Sequence, residues 1–348
     1  MKSLSACSAL LFTLGMAMTG CREARSSTEL PEGTPEIVLR GEDALRVRFG
    51  GDIQRLLLAG RYDSLEAMAE SLRNRDARWP NGGWKLRTFY NHGFDIALRN
   101  ATEADWQTHL RKLREWRVAY PGSITAPVAY AYALRSYAWE ARGAAVANEV
   151  TEEGWRRMRE RLAEARSVLV EARRLARVCP GWWMTAQGVA LGEDWDRRLY
   201  EELFQEAVRT EPSFENYYER KAIYLLPRWN GRAGEWEAFA DTVANRLPAP
   251  LGDQMYARIA WYTHRYLGDE NVFQESQISW DRTRLGLQEL VKAYPASLEL
   301  RSIFAYLAWK AADQPTARQQ FIELGPRIDP GVWEDRPEFM EARKWAFE

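Results

Sequence analysis

The sequence is poor in the residues on which disulfide frameworks and zinc sites depend. Its 348 residues include three cysteines and three histidines. The histidines show no spacing typical of metal ligands, so we predict neither a metal site nor a cofactor. Once an N-terminal leader is removed, Cys21 and Cys179 remain, and two cysteines cannot form a disulfide framework. We interpret Cys179 as a small packing residue at a helix end.

The chain also lacks an excess of either charge. Its 48 Lys and Arg residues nearly balance its 49 Asp and Glu residues, so no nucleic acid or other polyanion is predicted as a partner. No nucleophile elbow, phosphate loop or metal-binding His-Glu pattern occurs. We therefore assign no catalytic residue from the sequence.

The N-terminal segment has the pattern of an export signal. A short basic start precedes an apolar run from Leu4 to Ala17, which is too short for a membrane span, so residues 1–20 are predicted to be a signal peptide. The sequence Met18-Thr19-Gly20-Cys21 is similar to a bacterial lipobox, in which cleavage before the cysteine is followed by lipidation of its thiol. The alternative is a secreted protein that is cut near Ala17 and keeps a free Cys21.

We expect Cys21 to carry the lipid, with palmitate among its acyl chains, because durable anchoring needs two or more chains. Arg22 stands where Asp would retain a lipoprotein in the inner membrane. This favours the outer membrane, with the protein facing the periplasm. The polar residues 21–40 are predicted to form a disordered tether.

Helical periodicity dominates the rest of the chain and is clearest between Ser297 and Pro330. Ser297 caps a first helix, and Asp313 with Pro315 starts a second. The apolar residues of the two helices recur at helical spacing: Leu300, Phe304, Leu307, Ala311; Ala317, Phe321, Leu324, Ile328. This is a hairpin of tetratricopeptide length, roughly 34 residues. We predict an all-α, tetratricopeptide-like α-solenoid of degenerate helical hairpins.

Similar signals divide the rest into a helical domain over 41–250 and further hairpins with a terminal cap over 251–348. Residues 42–49 are predicted to form a helix or an irregular lead-in, followed by a helix over 52–59 and another capped by Ser64. A long, arginine-rich helix is predicted over 152–178, with Glu152–Arg156 and Glu153–Arg157 pairs. Its arginines indicate a solvated face or, alternatively, an anion-binding surface.

Tryptophan is unusually frequent, with 16 residues, and several lie in two irregular loops, 79–86 and 225–231. If these loops mark a site, Trp84, Lys85, Arg228 and Trp229 would combine ring stacking with charge to bind a partner. The alternative is that both loops are structural, with each tryptophan filling a gap between hairpins and Arg228 capping a helix end.

Three segments resemble an uncharacterised bacterial family, domain-of-unknown-function family 4034. The resemblance covers roughly residues 45 to 250, and its segments are 83–86 with 89–90, 138–143, and 226–231 through 239–240. It implies an exported or membrane-linked helical domain. The family brings no established activity and therefore no catalytic residues.

Two acidic segments of the sequence suggest enzymatic alternatives to a binding function. Glu275-Ser276 superficially resembles the catalytic Glu-Ser pair of lytic transglycosylases, but the residues that follow depart from that family. A toroidal glycosidase could use Glu193, Asp194 or Asp196 beside Trp195, although acidic residues at a turn between helices are expected as caps.

We predict a membrane-anchored envelope lipoprotein that acts as a protein-binding or assembly scaffold for an unknown envelope protein or peptide. The alternative is a glycan-binding or glycan-cleaving envelope protein with a Trp-rich groove.

Overall fold

The fold is that of a computed structural model, which describes residues 36–37, 41–97, 100–143, 149–175, 179–267, 271–333 and 335–348. The predicted signal peptide, the lipobox with Cys21 and most of the predicted tether lie outside the described residues. Within those residues the chain is all-α, with sixteen helices and two strands of two residues each. The prediction of an all-α, helical-repeat fold is confirmed.

The helices of the N-terminal half are α1 (Glu42–Leu58), α2 (Tyr62–Leu72), α3 (Lys85–Phe94), α4 (Glu103–Ala119), α5 (Thr125–Arg142), α6 (Glu152–Ala172), α7 (Pro180–Gly192) and α8 (Arg197–Thr210). Those of the C-terminal half are α9 (Asn216–Tyr224), α10 (Glu235–Arg246), α11 (Leu251–Leu267), α12 (Val272–Glu275), α13 (Trp280–Ala293), α14 (Leu298–Lys310), α15 (Gln314–Leu324) and α16 (Arg336–Phe347). The strands are β1 (Glu36–Ile37) and β2 (Arg327–Ile328).

Side-chain caps fix many of these helix starts, because they satisfy N–H groups that have no partner within the helix. Thr102 and Asp105 form a reciprocal capping box at the start of α4. Ser297 accepts from the Leu300 N–H, and Asp313 accepts from the Thr316 N–H, as predicted for the final hairpin.

The helices form two layers with different burial. The odd-numbered helices from α1 to α13 pack one on the next, and α13 packs on α14. Helices α5, α7 and α9 of this inner layer are buried along most of their length. Helices α6, α8 and α10 pack against them with one apolar face and present the other face to solvent.

Helix α1 is continuous, although the sequence predicted a break between residues 49 and 52. Gly50 lies within α1 and Gly93 within α3, at the place where these two helices pack closely against each other. A Cβ at Gly50 would lie 2.4 Å from the His92 carbonyl oxygen, and a Cβ at Gly93 would lie 2.7 Å from Cγ2 of Ile53. The glycines therefore serve close helix packing and do not end a helix.

Three other predicted boundaries are wrong. The N-cap position of α2 is Arg61, so Ser64 lies inside the first turn. Helix α6 ends at Ala172, short of the predicted Val178, which lies outside the described residues. Ile328 lies in β2, since α15 ends at Leu324, where Gly325 takes a φ of 62°.

The short strands join the two ends of the domain. Glu36 and Ile37 pair in parallel with Arg327 and Ile328. This pairing places part of the predicted 21–40 tether in a two-stranded sheet. It also holds the start of α1 near the last helical hairpin.

Candidate functional site

Hydrogen bonds across a long sequence separation connect α1 to α14. The Ser297 hydroxyl donates to Glu42, and Arg46 Nη2 lies 2.5 Å from Glu299 Oε2. The Asn81 backbone N–H donates to Glu42 Oε2 at 3.0 Å, while its side-chain amide donates to Glu299 Oε2 at 3.1 Å. We call these five residues the closing seam. The row of inner helices thus closes on itself.

A carboxyl group of the closing seam has an unusual protonation equilibrium. Glu42 is 6% exposed and lies beside Glu299. Burial, followed by the negative charge of Glu299, raises the pKa of Glu42 to about 7. Glu42 is therefore only partly ionised near neutral pH.

The inner helices surround a central cavity with a volume of about 430 Å³. Helices α1, α3, α9, α11, α13 and α14 all contribute to its wall. Its charged lining residues are Asp43, Arg46, Arg87, Glu215, Glu219, Arg258, Arg265 and Glu299. Its aromatic lining residues are Trp79, Trp84, Trp261, Tyr262 and Tyr266. Cavities of several hundred cubic ångströms are the size that small-molecule ligands occupy.

A loop over residues 79–84, which we call the Trp loop, supplies one side of the cavity. Gly82 has a φ of 78°, and a Cβ there would lie 2.2 Å from the Tyr294 ring, so no larger residue fits. The Trp79 indole N–H donates to Thr88 Oγ1 at 2.7 Å. Arg258 Nη2 donates to the Asn81 carbonyl at 2.7 Å and ties the loop to α11.

Two buried carboxylates of the cavity are held by arginine. Arg87 Nη1 lies 2.7 Å from Glu219 Oε2 and 3.7 Å from Glu215 Oε1. Glu215 also accepts the Trp84 backbone N–H at 3.1 Å, and Glu219 accepts the Asn216 side-chain amide at 3.0 Å. Burial raises the pKa of Glu219, which Arg87 opposes. Both carboxylates are therefore engaged in structural contacts.

One face of α11 combines arginine with aromatic rings. Arg258, Trp261, Tyr262 and Arg265 all line the cavity, and their spacing of three, four and seven residues places them on one helix face. The Arg265 guanidinium lies 6.0 Å from the Trp261 ring centroid. We call these four residues the α11 stripe. Aromatic faces flanked by guanidinium groups can bind a ring that carries polar or negatively charged groups.

The cavity also holds an acceptor that its described neighbours do not satisfy. Asn91 Oδ1 is buried and has no hydrogen-bond partner among the described residues. A buried amide oxygen without a partner is unfavourable by about 1–3 kcal/mol.

The four residues predicted to bind a partner lie in or next to two different loops and do not form one site. Trp84 lies in the cavity wall and is 1% exposed, since its indole N–H donates to the Ser213 carbonyl at 3.0 Å and the Arg78 guanidinium lies 4.1 Å from its ring centroid. Lys85 is half-buried, with its ammonium 5.2 Å from the Trp79 ring centroid.

Arg228 and Trp229 lie in the second irregular loop and have different surroundings. Arg228 is exposed and donates to the Tyr266 carbonyl at 2.6 Å, in the last turn of α11. Trp229 is half-buried and packs edge-on against Trp139, with ring centroids 5.6 Å apart. These contacts agree with the alternative that this loop is structural, in which Arg228 caps a helix end and Trp229 fills a gap between hairpins. Arg228 still touches the cavity rim, because Tyr266 lines it.

The acidic residues considered for catalysis have local structural contacts. Asp196 accepts the Leu199 N–H at 3.0 Å as the N-cap of α8. Glu193 pairs with Arg166 at 3.0 Å and accepts from the Trp195 indole. Ser276 follows the short helix α12, and its hydroxyl donates to the Val272 carbonyl.

The arginines of α6 are largely paired on the solvent-facing side. Arg156 pairs with Glu153 and Glu160, and Arg157 pairs with Glu153. The predicted Glu153–Arg157 pair is confirmed, whereas Arg156 takes Glu153 in place of Glu152. This arrangement matches a solvated, ion-paired face.

Sequence reasoning missed Arg87 and all four members of the α11 stripe. The signal was present: an arginine pair seven residues apart on a helix encloses Trp261 and Tyr262 at helical spacing. Among arginines on helices, only those of α6 were interpreted from the sequence. The closure of the inner layer shows that Arg258 and Arg265 of α11 face a cavity.

Among the described residues, no helix is both long and apolar enough to cross a bilayer, and no group of three His, Cys, Asp or Glu residues is arranged to hold a metal ion. Comparisons of the chain with protein-family profiles, with curated proteins and with solved structures find no match. The resemblance to family 4034 accordingly stays a prediction.

Proposed function

We propose that the protein is a lipid-anchored envelope protein whose helical domain binds a small glycan in its central cavity. The observation that carries this proposal is one partly open cavity whose wall combines the half-buried rings of Trp261 and Tyr262 with the polar groups of Asn91, Arg258 and Arg265. A sugar ring offers an apolar face for stacking and hydroxyl groups for hydrogen bonding, so it matches both features.

The cavity favours the glycan alternative over a scaffold for an extended peptide. A scaffold of stacked hairpins binds such a peptide along an open concave surface. In this chain the closing seam joins α1 to α14, and the remaining space is about 430 Å³. That space suits a compact ligand of one to a few rings better than an extended chain.

The proposal is for binding and not for cleavage. A glycosidase needs one carboxylate to attack or activate water and a second group to donate a proton. Here Glu299 is held by Arg46, and Glu219 is held by Arg87. Glu42, whose pKa is also raised, is buried and accepts hydrogen bonds from Ser297 and Asn81.

Titration of the purified domain with a neutral oligosaccharide, a uronic-acid disaccharide and peptidoglycan fragments tests the proposal. We expect at least one of these glycans to bind, and Trp261→Ala to weaken that binding about fivefold, because ring stacking contributes on the order of 1 kcal/mol. Isothermal titration calorimetry provides the measurement. A matched control is Trp155→Ala, which removes a half-buried indole from the outer helix α6.

The outcome distinguishes the two predicted functions. If no glycan binds while an extended envelope peptide does, the glycan proposal is wrong and the scaffold function is favoured. Equal affinities for wild type and Trp261→Ala would place the glycan outside the cavity.

The anchor carries its own prediction. Replacing Cys21 by Ser should move the protein from the membrane pellet to the soluble fraction, because the lipidated thiol is lost. Fractionation followed by immunoblotting measures the distribution, with Cys179→Ser as the control that leaves the lipobox intact. A Cys21→Ser variant that still sediments with membranes would contradict the anchor.

A further inference from the structure

We infer that the preferred ligand is an acidic saccharide, with its ring on Trp261 and Tyr262 and its negative charge on Arg258 or Arg265. This inference rests on the proposed glycan-binding function and deepens it. The two arginines lie seven residues apart on α11, about 10 Å along the helix axis at 1.5 Å per residue. The aromatic residues lie between them, at the spacing that one or two sugar rings would span.

Three of the four carboxylates that line the cavity pair with arginine, and the fourth, Asp43, is exposed and lies 4.0 Å from Arg46. Arg46 lies 2.5 Å from Glu299, and Arg87 lies 2.7 Å from Glu219. Glu215 has Arg87 at 3.7 Å and also Arg78 at 3.8 Å. These carboxylates therefore do not repel an incoming anion at full strength.

The two arginines of α11 keep unused hydrogen-bond donors. Arg258 gives one N–H to the Asn81 carbonyl, and the guanidinium group carries five donors. Arg265 is exposed and lies over Trp261, with no carboxylate within ion-pair distance among the residues that the structure describes. The charge of Arg258 also acts on Glu219, so Arg265 is the arginine whose charge is most available to a ligand.

The anionic group of the ligand can be a carboxylate or a phosphate. A guanidinium group binds carboxylate and phosphate groups in the same bidentate manner, so either source of negative charge fits. A uronic acid and a sugar phosphate share this chemistry. They differ in charge and in the number of acceptor oxygens, and the experiment separates them.

Isothermal titration with digalacturonic acid, its neutral dimethyl ester and glucose 6-phosphate tests the inference on the full folded domain. We expect an acidic ligand to bind at least tenfold more tightly than the neutral ester, and added salt to reduce the difference. Arg265→Gln should weaken binding of the acidic ligand about tenfold and leave the ester unchanged. Arg265→Lys should restore part of the loss, since it keeps the charge.

The controls make each result informative. Arg265 is exposed, so its replacement is not expected to disturb folding, and Arg209→Gln removes an equally exposed charge from the outer helix α8. Tighter binding of the disaccharide acid than of the phosphate identifies a carboxylated sugar, and the reverse identifies a phosphorylated one. Equal binding of acid and ester, unaffected by Arg265→Gln, would overturn this inference but leave glycan binding intact. If none of the three ligands binds and the neutral oligosaccharide and the peptidoglycan fragments also fail, the proposed function fails together with the inference.

Discussion

Replacing Arg87 by Met is expected to destabilise the domain by about 3–5 kcal/mol, the cost typical of removing one partner from a buried ion pair. Arg87 is the partner of Glu219 at 2.7 Å and lies 3.7 Å from Glu215. The side chains of these two carboxylates are only 6% and 2% exposed. Without Arg87, Glu219 would keep its negative charge without a partner or would have to take up a proton.

Denaturant unfolding followed by circular dichroism measures this loss. The matched control is Arg111→Met, because Arg111 pairs with Glu115 on the solvent-exposed side of α4. Exposed pairs contribute at most about 1 kcal/mol. The destabilisation by Arg87→Met should also shrink as the pH is lowered, since protonation removes the unpaired charges. A variant within 1 kcal/mol of wild type at pH 8 would show that the two carboxyl groups are neutral in the folded protein.

A second large effect is expected from the pH dependence of stability. The pKa of Glu42 is raised from its ordinary value of 4.5 to about 7 in the folded protein. Between these values the folded state binds a proton that the unfolded state has released. The free energy of unfolding therefore falls as the pH rises through this window, by about 3 kcal/mol at 1.36 kcal/mol per unit, and levels off above it.

Glu42→Gln should remove this part of the pH dependence. A glutamine can donate to the Ser297 hydroxyl oxygen with its amide nitrogen and accept the Asn81 N–H with its oxygen, so the closing seam keeps its shape. We expect the variant to match wild type near pH 5 and to be more stable than wild type at pH 8. Unfolding curves at four pH values between 5 and 8 provide the measurement.

The difference between the two proteins is the informative quantity. Burial also raises the pKa values of Asp95, Glu219 and Asp329, and these groups contribute a slope of the same sign in both proteins. Parallel pH profiles for wild type and Glu42→Gln would mean that Glu42 is ionised in the folded state.

The sequence predicted the helices well wherever a cap or a breaking residue marks their ends. Ser297 and Asp313 each begin a helix as predicted, and the Thr102–Asp105 capping box begins another. The prediction failed at Gly50, because a glycine that admits a neighbouring helix has the same sequence signature as one that ends a helix. That distinction depends on α3, which no local pattern in α1 contains.

The candidate site was predictable in part. The Trp loop was identified as irregular, and it lines the cavity with Trp79, Asn81 and Trp84. The α11 stripe was missed because periodicity tells which residues share a face and not what that face meets. The closing seam joins residues that are 255 positions apart, and no spacing rule connects Glu42 with Ser297.

The distance along the chain between Glu42 and Ser297 has a consequence for biosynthesis. Glu299, Leu300 and Ile303 supply part of the cavity wall, and Glu299 is translated 253 residues after its partner Arg46. A nascent or prematurely terminated polypeptide therefore has Arg46 and the Trp loop but no finished pocket. Only a polypeptide that includes α14 can gain stability from a ligand in the cavity, because a ligand stabilises only the state that binds it. Products that end before α14 would consequently remain the easier targets for proteases, even when a ligand is abundant.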